Sequence, residues 1–266
     1  MLGKTKEILA RAKAKPEKET REIEERKIVQ EAVYITRKLG EVLERLRIGD
    51  LTGLDEVLED LAKRTAELYE KYGDTALPIK SVVYAVIGVD DPDTARNVYE
   101  EAKKALNEGR VPRARTLVNL LRNEIVIETD VIPLAVLKDS INLSRTFLKR
   151  GNLNRLLDTI NLILASIETI RTLLPRPLLE AYYLAAELEK LKEEDKEIAL
   201  EVAQYIRQRL ELAKILGYIT DEKVIKDLED KIKAVEESAG KPEGKEKAAA
   251  LKEELAKARG EIKEEE

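Results

Sequence analysis

The chain has 266 residues, 43% hydrophobic and 38% charged, with 48 Lys and Arg against 53 Asp and Glu and a net charge of −5. There is enough apolar material for a sizeable core and too much for a disordered chain. The absence of His, Cys and Trp excludes Ser-His-Asp and Cys-His nucleophile sites, zinc sites built on Cys or His, haem held by either, and a histidine pH switch. Mixed, mildly acidic charge favours solubility over binding to nucleic acid or membrane. Abundant Glu, Lys and Arg without Cys fits a thermophile habit. The start, MLGKTKEILARAK, lacks the apolar stretch of an export signal, and no apolar run reaches the ~20 residues of a membrane span. A cytoplasmic location is expected.

In chain order, residues 1–27 read as a charged N-terminal arm interrupted by Pro16. Ile28 to Leu46 and Leu54 to Leu68 carry apolar stripes at the helical period and end at Gly49 and near Gly73. Lys80 to Val89 is rich in β-branched residues and reads as extended. Asp91-Pro92 opens a helix running to Gly109, and Pro112 opens another to about Arg122. Glu124 to Val131 reads as a second extended segment. Helices follow from Pro133 to Gly151, from Leu153 to Leu173, from Pro177, from Asp195 to Gly217 and from Asp221. Leu153 to Leu173 is apolar nearly all round, which predicts a central helix. Gly240, Pro242 and Gly244 form a linker before an Ala/Glu/Lys/Arg tail with little to bury, expected to be solvated.

These elements predict a mainly α protein of stacked antiparallel helix pairs, as a bundle or a tetratricopeptide-like array, with one short two-stranded β element. Helix-turn-helix units recur at a spacing of 42 to 44 residues, longer than the usual tetratricopeptide period. The predicted domains are the arm at 1–27, a helical domain at 28–239, and the linker and tail at 240–266.

Four segments carry a family resemblance: LPIKSVVYAVIGVDDPDTARNVYEEAKKALNEGR, EIVIETDVIPLAVLKDSINLSRTFLKRGN, LLEAYYLAAELEK and LELAKILGYIT. By their order and spacing the span from about Arg47 to Glu237 resembles the YfdX family of helical, stress-associated proteins. The resemblance implies a mainly helical fold, self-association and a stress-linked role, with no established enzymatic reaction. Family members often carry an export signal, which this sequence lacks.

Four groups of residues are candidates for chemistry. Asp90, Asp91 and Asp93 read either as a divalent-cation site or as the acidic cap of a helix, and capping is favoured because an acidic first turn is common; no metal is expected. The arginines 110, 113, 115 and 122 lie in a stretch, 96–176, with 14 basic and 9 acidic residues. They read as a phosphate-binding patch or as partners of the flanking acids, and pairing is favoured because no aromatic residues are interleaved. Asn119, Asn142 and Asn161 interrupt apolar runs, and a buried amide needs a partner. These amides are expected to fix helix register, or to bind a small, preferentially anionic ligand with Arg115, Arg145 and Arg155 beside the Leu153 to Leu173 helix. The tyrosines supply most of the aromatic area, and Tyr182 and Tyr183 point about 100° apart, one to core and one to a partner surface.

No pair of carboxylates stands out from the charge background, so no catalytic residue and no cofactor are expected. The expected function is that of a non-enzymatic, oligomeric helical protein that binds a small ligand or a protein. The alternative is a tetratricopeptide-like helical-repeat scaffold for peptide or protein binding. A homo-oligomer is expected because the helix from Asp195 is apolar on several faces; neither membrane nor nucleic acid is an expected partner.

Overall fold

The computed structural model describes residues 2–259 and 262–263. Among them the elements run α1 (Leu2–Lys27), α2 (Gln30–Arg47), α3 (Leu54–Tyr72), β1 (Ala76–Ile87), α4 (Pro92–Asn107), α5 (Val111–Leu120), β2 (Asn123–Pro133), α6 (Leu134–Lys149), α7 (Leu153–Ala165), β3 (Glu168–Pro175), α8 (Arg176–Leu188), a 3-10 turn at Glu193–Asp195, α9 (Lys196–Ile215), α10 (Glu222–Ser238), α11 (Gly244–Ala258) and β4 (Ile262–Lys263). The fold is mainly α, as the helical periodicity predicts.

The β structure is larger than one two-stranded element. The strand order is β1-β2-β3-β4, with β3 and β4 antiparallel through Thr172 opposite Lys263 and Leu173 opposite Ile262. Both predicted extended segments are strands. The long helix predicted from Leu153 to Leu173 stops at Ala165, and Glu168–Pro175 is strand instead. Ser166 ends the helix, its hydroxyl donating to the Ile163 carbonyl. The Thr and Ile residues that follow suit a strand, which periodicity alone does not separate from a buried helix.

Two compact units are present, each assembled from separate stretches of chain. One, the first unit, comprises residues 1–21, 83–126 and 172–266; the second comprises 22–82 and 127–171. The chain therefore passes from one to the other partway along α1, β1, β2 and β3. This division differs from an arm, a central domain and a tail.

In the second unit α2 packs on α3, α3 on α6, α6 on α7 and α7 on α2. The ring closes around Ile35, Leu39, Leu58, Leu61, Leu137, Ile141, Leu156 and Ile160. In the first unit α8, α9, α10 and α11 close a second ring in the same way, with α4 on α9 and α5 on α4. A repeat stack leaves its terminal helices apart. Each ring joins its last helix to its first, so each unit is a bundle with no solenoid groove.

Four helix ends share one device. Asp50, Arg110, Asn152 and Tyr218 each donate a backbone N–H to the carbonyl five residues earlier, at 2.8–3.0 Å. The preceding Gly49, Gly109, Gly151 and Gly217 hold φ of 67–75°, the left-handed conformation that this motif requires.

Three expectations about the flanks and the long helix are corrected. α1 runs through Pro16, because Thr5, Ile8, Ala12, Pro16 and Thr20 form a narrow buried stripe that offsets the lost backbone hydrogen bond. The tail from Ala248 is no solvated helix, since Ala248, Leu251 and Leu255 join the first unit's core. The apolar faces of α9 are filled by α4, α8 and α10 of the same chain, so they do not argue for self-association.

Candidate functional site

The three amides predicted to line a ligand pocket are all solvent-exposed. Asn142 Nδ2 and Asn161 Nδ2 each donate 3.0 Å to the carbonyl four residues back, Lys138 and Leu157 respectively. Asn119 and Arg115 lie in the first unit, whereas Asn142, Asn161, Arg145 and Arg155 lie in the second. Arg145 Nη2 reaches Glu59 at 3.5 Å, and the exposed Arg155 sits 5.9 Å from the Phe147 ring centroid. The predicted pocket is therefore not formed: an apolar run in sequence did not mean burial on every face.

The buried amide is Asn123, at the first position of β2. Its Oδ1 accepts from Arg176 Nη1 at 3.1 Å, its Nδ2 donates to the Val89 carbonyl at 3.3 Å, and its backbone N–H donates to the Tyr218 hydroxyl at 3.0 Å. It belongs to a buried charge network in the first unit. Arg209, 3% exposed, donates through Nη1 to Asp90 Oδ1 and at 3.4 Å to Glu180 Oε2, and through Nη2 to the Asp90 carbonyl at 2.6 Å. Arg176 Nη2 lies 2.7 Å from Glu180 Oε1, and Lys13 Nζ donates to Asp90 Oδ2 at 3.0 Å. The Arg209 guanidinium also stacks 4.8 Å from the Tyr205 ring centroid.

Three cations thus face two carboxylates. Burial pushes the Glu180 carboxyl above its ordinary value, against the attraction of Arg176 and Arg209. Burial acts in the same direction on Asp90, but Arg209 and Lys13 more than offset it and hold that carboxyl below its ordinary value. Removing a carboxylate leaves the buried cations further in excess, and removing Arg209 takes hydrogen bonds from both carboxylates.

The network clamps the α4–α5 hairpin at both ends. Before α4, Asp90 ties the loop to α1, α8 and α9, and Asp91 caps the helix by accepting from the Thr94 N–H at 2.8 Å. The capping reading of this acidic cluster is what the geometry shows. After α5, Asn123 ties the chain to α8 and to Tyr218. Gly88 lies so close to the carbonyls of Leu120 and Arg122 that a Cβ there would stand 2.2 and 2.5 Å from them.

Held this way, α4 and α5 border a groove of about 460 Å³ beside the end of α9. Leu121, Leu173, Ile215 and Leu216 give it an apolar floor, with Tyr99, Val118 and Tyr218 also in its lining. Arg122, Lys214 and Glu124 supply its charges. Among the predicted basic residues, Arg110 pairs with Glu108, Arg113 with Glu101 at 3.6 Å and Arg122 with Glu124. Tyr183 is core, its hydroxyl donating 2.6 Å to Glu19, and Tyr182 meets it edge-on at 5.2 Å. Among the described residues no group of three or more Asp and Glu is arranged to hold a metal ion. Nor is any helix there long and apolar enough to cross a membrane.

Sequence reading missed this site, although one signal was present. Arg176 and Glu180 stand four residues apart in RPLLEAYYLAAEL, an otherwise apolar opening. A charged pair at that spacing inside an apolar stripe marks a buried ion pair.

The model of the YfdX protein family matches residues 37–155. A solved structure of YfdX from Salmonella Typhi aligns at a TM-score of 0.38 and 13% identity, covering 54% of this chain and 90% of that one. No curated protein matches the sequence. The match takes in the first two segments of the resemblance and ends before LLEAYYLAAELEK and LELAKILGYIT. The similarity to the YfdX family therefore lies in residues 37–155, from within α2 to the start of α7.

Proposed function

We propose that this protein is a non-enzymatic binding protein of the stress-associated kind that the YfdX resemblance implies, and that it holds a protein partner in the groove beside α5 and the end of α9. The observation that supports this reading is the groove itself. It is open and apolar at its floor, and Val118 in its lining is 52% exposed. Apolar side chains at that exposure, on a hairpin clamped at both ends, suit a partner of some size better than a small enclosed ligand. The ionisable groups nearby are engaged with one another. Asp90 serves Arg209 and Lys13, and Glu180 is enclosed by two arginines. Self-association and the stress-linked role rest on the resemblance.

The test is comparative capture. Wild-type protein and Val118→Asp are immobilised, exposed to extract of the source organism, and the bound proteins identified by mass spectrometry. The reading expects proteins retained by wild type and absent from the variant. Identical retention by both would end it.

A further inference from the structure

Residues 2–21 of α1 are held to the first unit differently from its other helices. They carry seven Lys and Arg against three Glu, in a chain of net charge −5. They give the core only Ile8 and Ala12, with Leu9 partly buried beside them. The rest of the attachment is polar. Lys4 Nζ meets Asp195 at 2.7 Å, Thr5 Oγ1 donates to Glu201 at 2.6 Å, Arg11 Nη2 lies 3.7 Å from Glu187, and Lys13 Nζ meets Asp90 at 3.0 Å. Lys13 and Lys15 also stand over the rings of Tyr205 and Tyr183, 5.5 and 4.9 Å from their centroids. The Lys4 and Arg11 side chains are 51% and 56% exposed, so salt screens their pairs. A segment with so little buried apolar surface belongs to the low-stability end of a fold, and Pro16 takes a backbone hydrogen bond from its middle.

The seat beneath these residues has a chemistry of its own. It sets Glu187 and Tyr183 of α8 beside Asp195 and, on α9, Glu201 and Tyr205. Without α1, Glu187 keeps Lys190 and Asp90 keeps Arg209. Asp195 and Glu201 have no other side-chain partner among the described residues. Carboxylates released beside tyrosine rings and an apolar floor complement a helix with cations flanking an apolar stripe. That is the face α1 presents: Lys4, Ile8, Arg11 and Lys15 recur at intervals of four, three and four residues.

We infer that residues 2–21 are a detachable strap, and that the α8–α9 face beneath them takes a basic amphipathic helix of a partner protein in their place. The strap is the seat's occupant in cis and competes with the helix from outside. This surface is separate from the groove beside α5 and does not depend on that reading. Competition has its own signature. Loosening the strap raises affinity for an external basic helix, whereas loosening a merely structural helix lowers stability without that gain.

The probe is a fluorescein-labelled synthetic helix with leucines on one face and lysines on the other, titrated with the full chain and followed by anisotropy. Its glutamate counterpart is the control. Lys4→Ala combined with Arg11→Ala removes two pairs of the strap and leaves the core intact. The lysine helix is expected to bind this variant about tenfold tighter than wild type, and the glutamate helix to bind neither. The same loss of charge on α10, Lys223→Ala with Lys226→Ala, should give no gain. Adding Glu201→Lys to the strap variant should remove most of it, and an unlabelled peptide of residues 2–21 should displace the probe. Ile8→Asp loosens the strap by a second route, with a circular dichroism melt to confirm that the bundle folds. Equal affinity for wild type and both strap variants would overturn the inference. So would a gain that survives Glu201→Lys, or a probe that the peptide does not displace. If light scattering shows the strap variants forming dimers that exclude the lysine helix, the seat belongs to a second copy and the partner helix falls.

Discussion

The two units are built on the same ring of four helices and filled in different ways. The second unit has an almost wholly aliphatic interior. Its buried polar side chains are satisfied within their own helices: Thr65, Ser144 and Thr159 donate to carbonyls four residues back at 2.7–2.8 Å, and Glu24 accepts from Lys27 at 2.6 Å. The first unit buries Arg176, Glu180, Arg209 and Asn123, each of which reaches across to another element. One bundle is held by non-directional burial. The other adds directed bonds that fix where an appended hairpin sits, and that hairpin borders the groove. A buried network of this kind is weak evidence for stability and better read as a device for geometry.

Substitutions can break that contrast. The largest effect is expected from Arg209→Leu, which strips Glu180 and Asp90 of a buried donor and leaves Glu180 to Arg176 and Asp90 to Lys13. It should cost about 3–5 kcal/mol in chemical denaturation, with amide protection falling first in α4, α8 and α9. Replacing Glu180 by Leu as well should deepen the loss, because it leaves the buried Arg176 without its ion-pair partner. Leu137→Ala, in the aliphatic ring, should cost about 2–5 kcal/mol through the cavity it opens. In a denaturation cycle its effect should add to that of Arg209→Leu, since the two sites share no partner. Gly88→Ala forces a Cβ onto two backbone carbonyls and should cost about 1–3 kcal/mol. It should also weaken binding in the groove, because the end of α5 must shift.

Acid supplies a subtler test. The Asp90 carboxyl titrates below its ordinary value in the folded protein. The stability it contributes is therefore present above the unfolded value, near 3.8, and is lost as pH falls through the folded one. Asp90→Asn should flatten the stability profile in that acidic range, measured by urea titration at stepped pH. The Glu180 carboxyl is shifted upwards, so its contribution has the opposite sign and declines as pH rises. The smallest effect is expected from Asn161→Ala, within about 0.5 kcal/mol in a thermal melt. Its amide is exposed and bonded only within its own helix.

Most helices were legible because their ends carry chemistry: Asp91 and Asp221 as caps, Gly49, Gly109, Gly151 and Gly217 as stops. The strands were legible where β-branched residues cluster, at Val82-Val83 and Ile125-Val126-Ile127. β3 was missed because Ile167, Ile170 and Leu173 recur every three residues, as the stripe of a continuing helix would, and pairing in a sheet decides what local pattern leaves open. The candidate site was poorly legible for a related reason. The rule that a buried amide needs partners holds, and Asn123 obeys it. Nothing local distinguishes Asn123 from Asn119, Asn142 or Asn161, since its partners lie 34, 53 and 95 residues away.

The central claim is that binding belongs to the first unit, at the hairpin that its charge network clamps. Hydrogen–deuterium exchange of the full chain, alone and bound to a partner protein captured by the wild type, tests it most directly. The account predicts added protection in α5, in the adjoining part of α4 and at the end of α9, with α2, α3, α6 and α7 unchanged. Protection centred on the four helices of the aliphatic ring would contradict it.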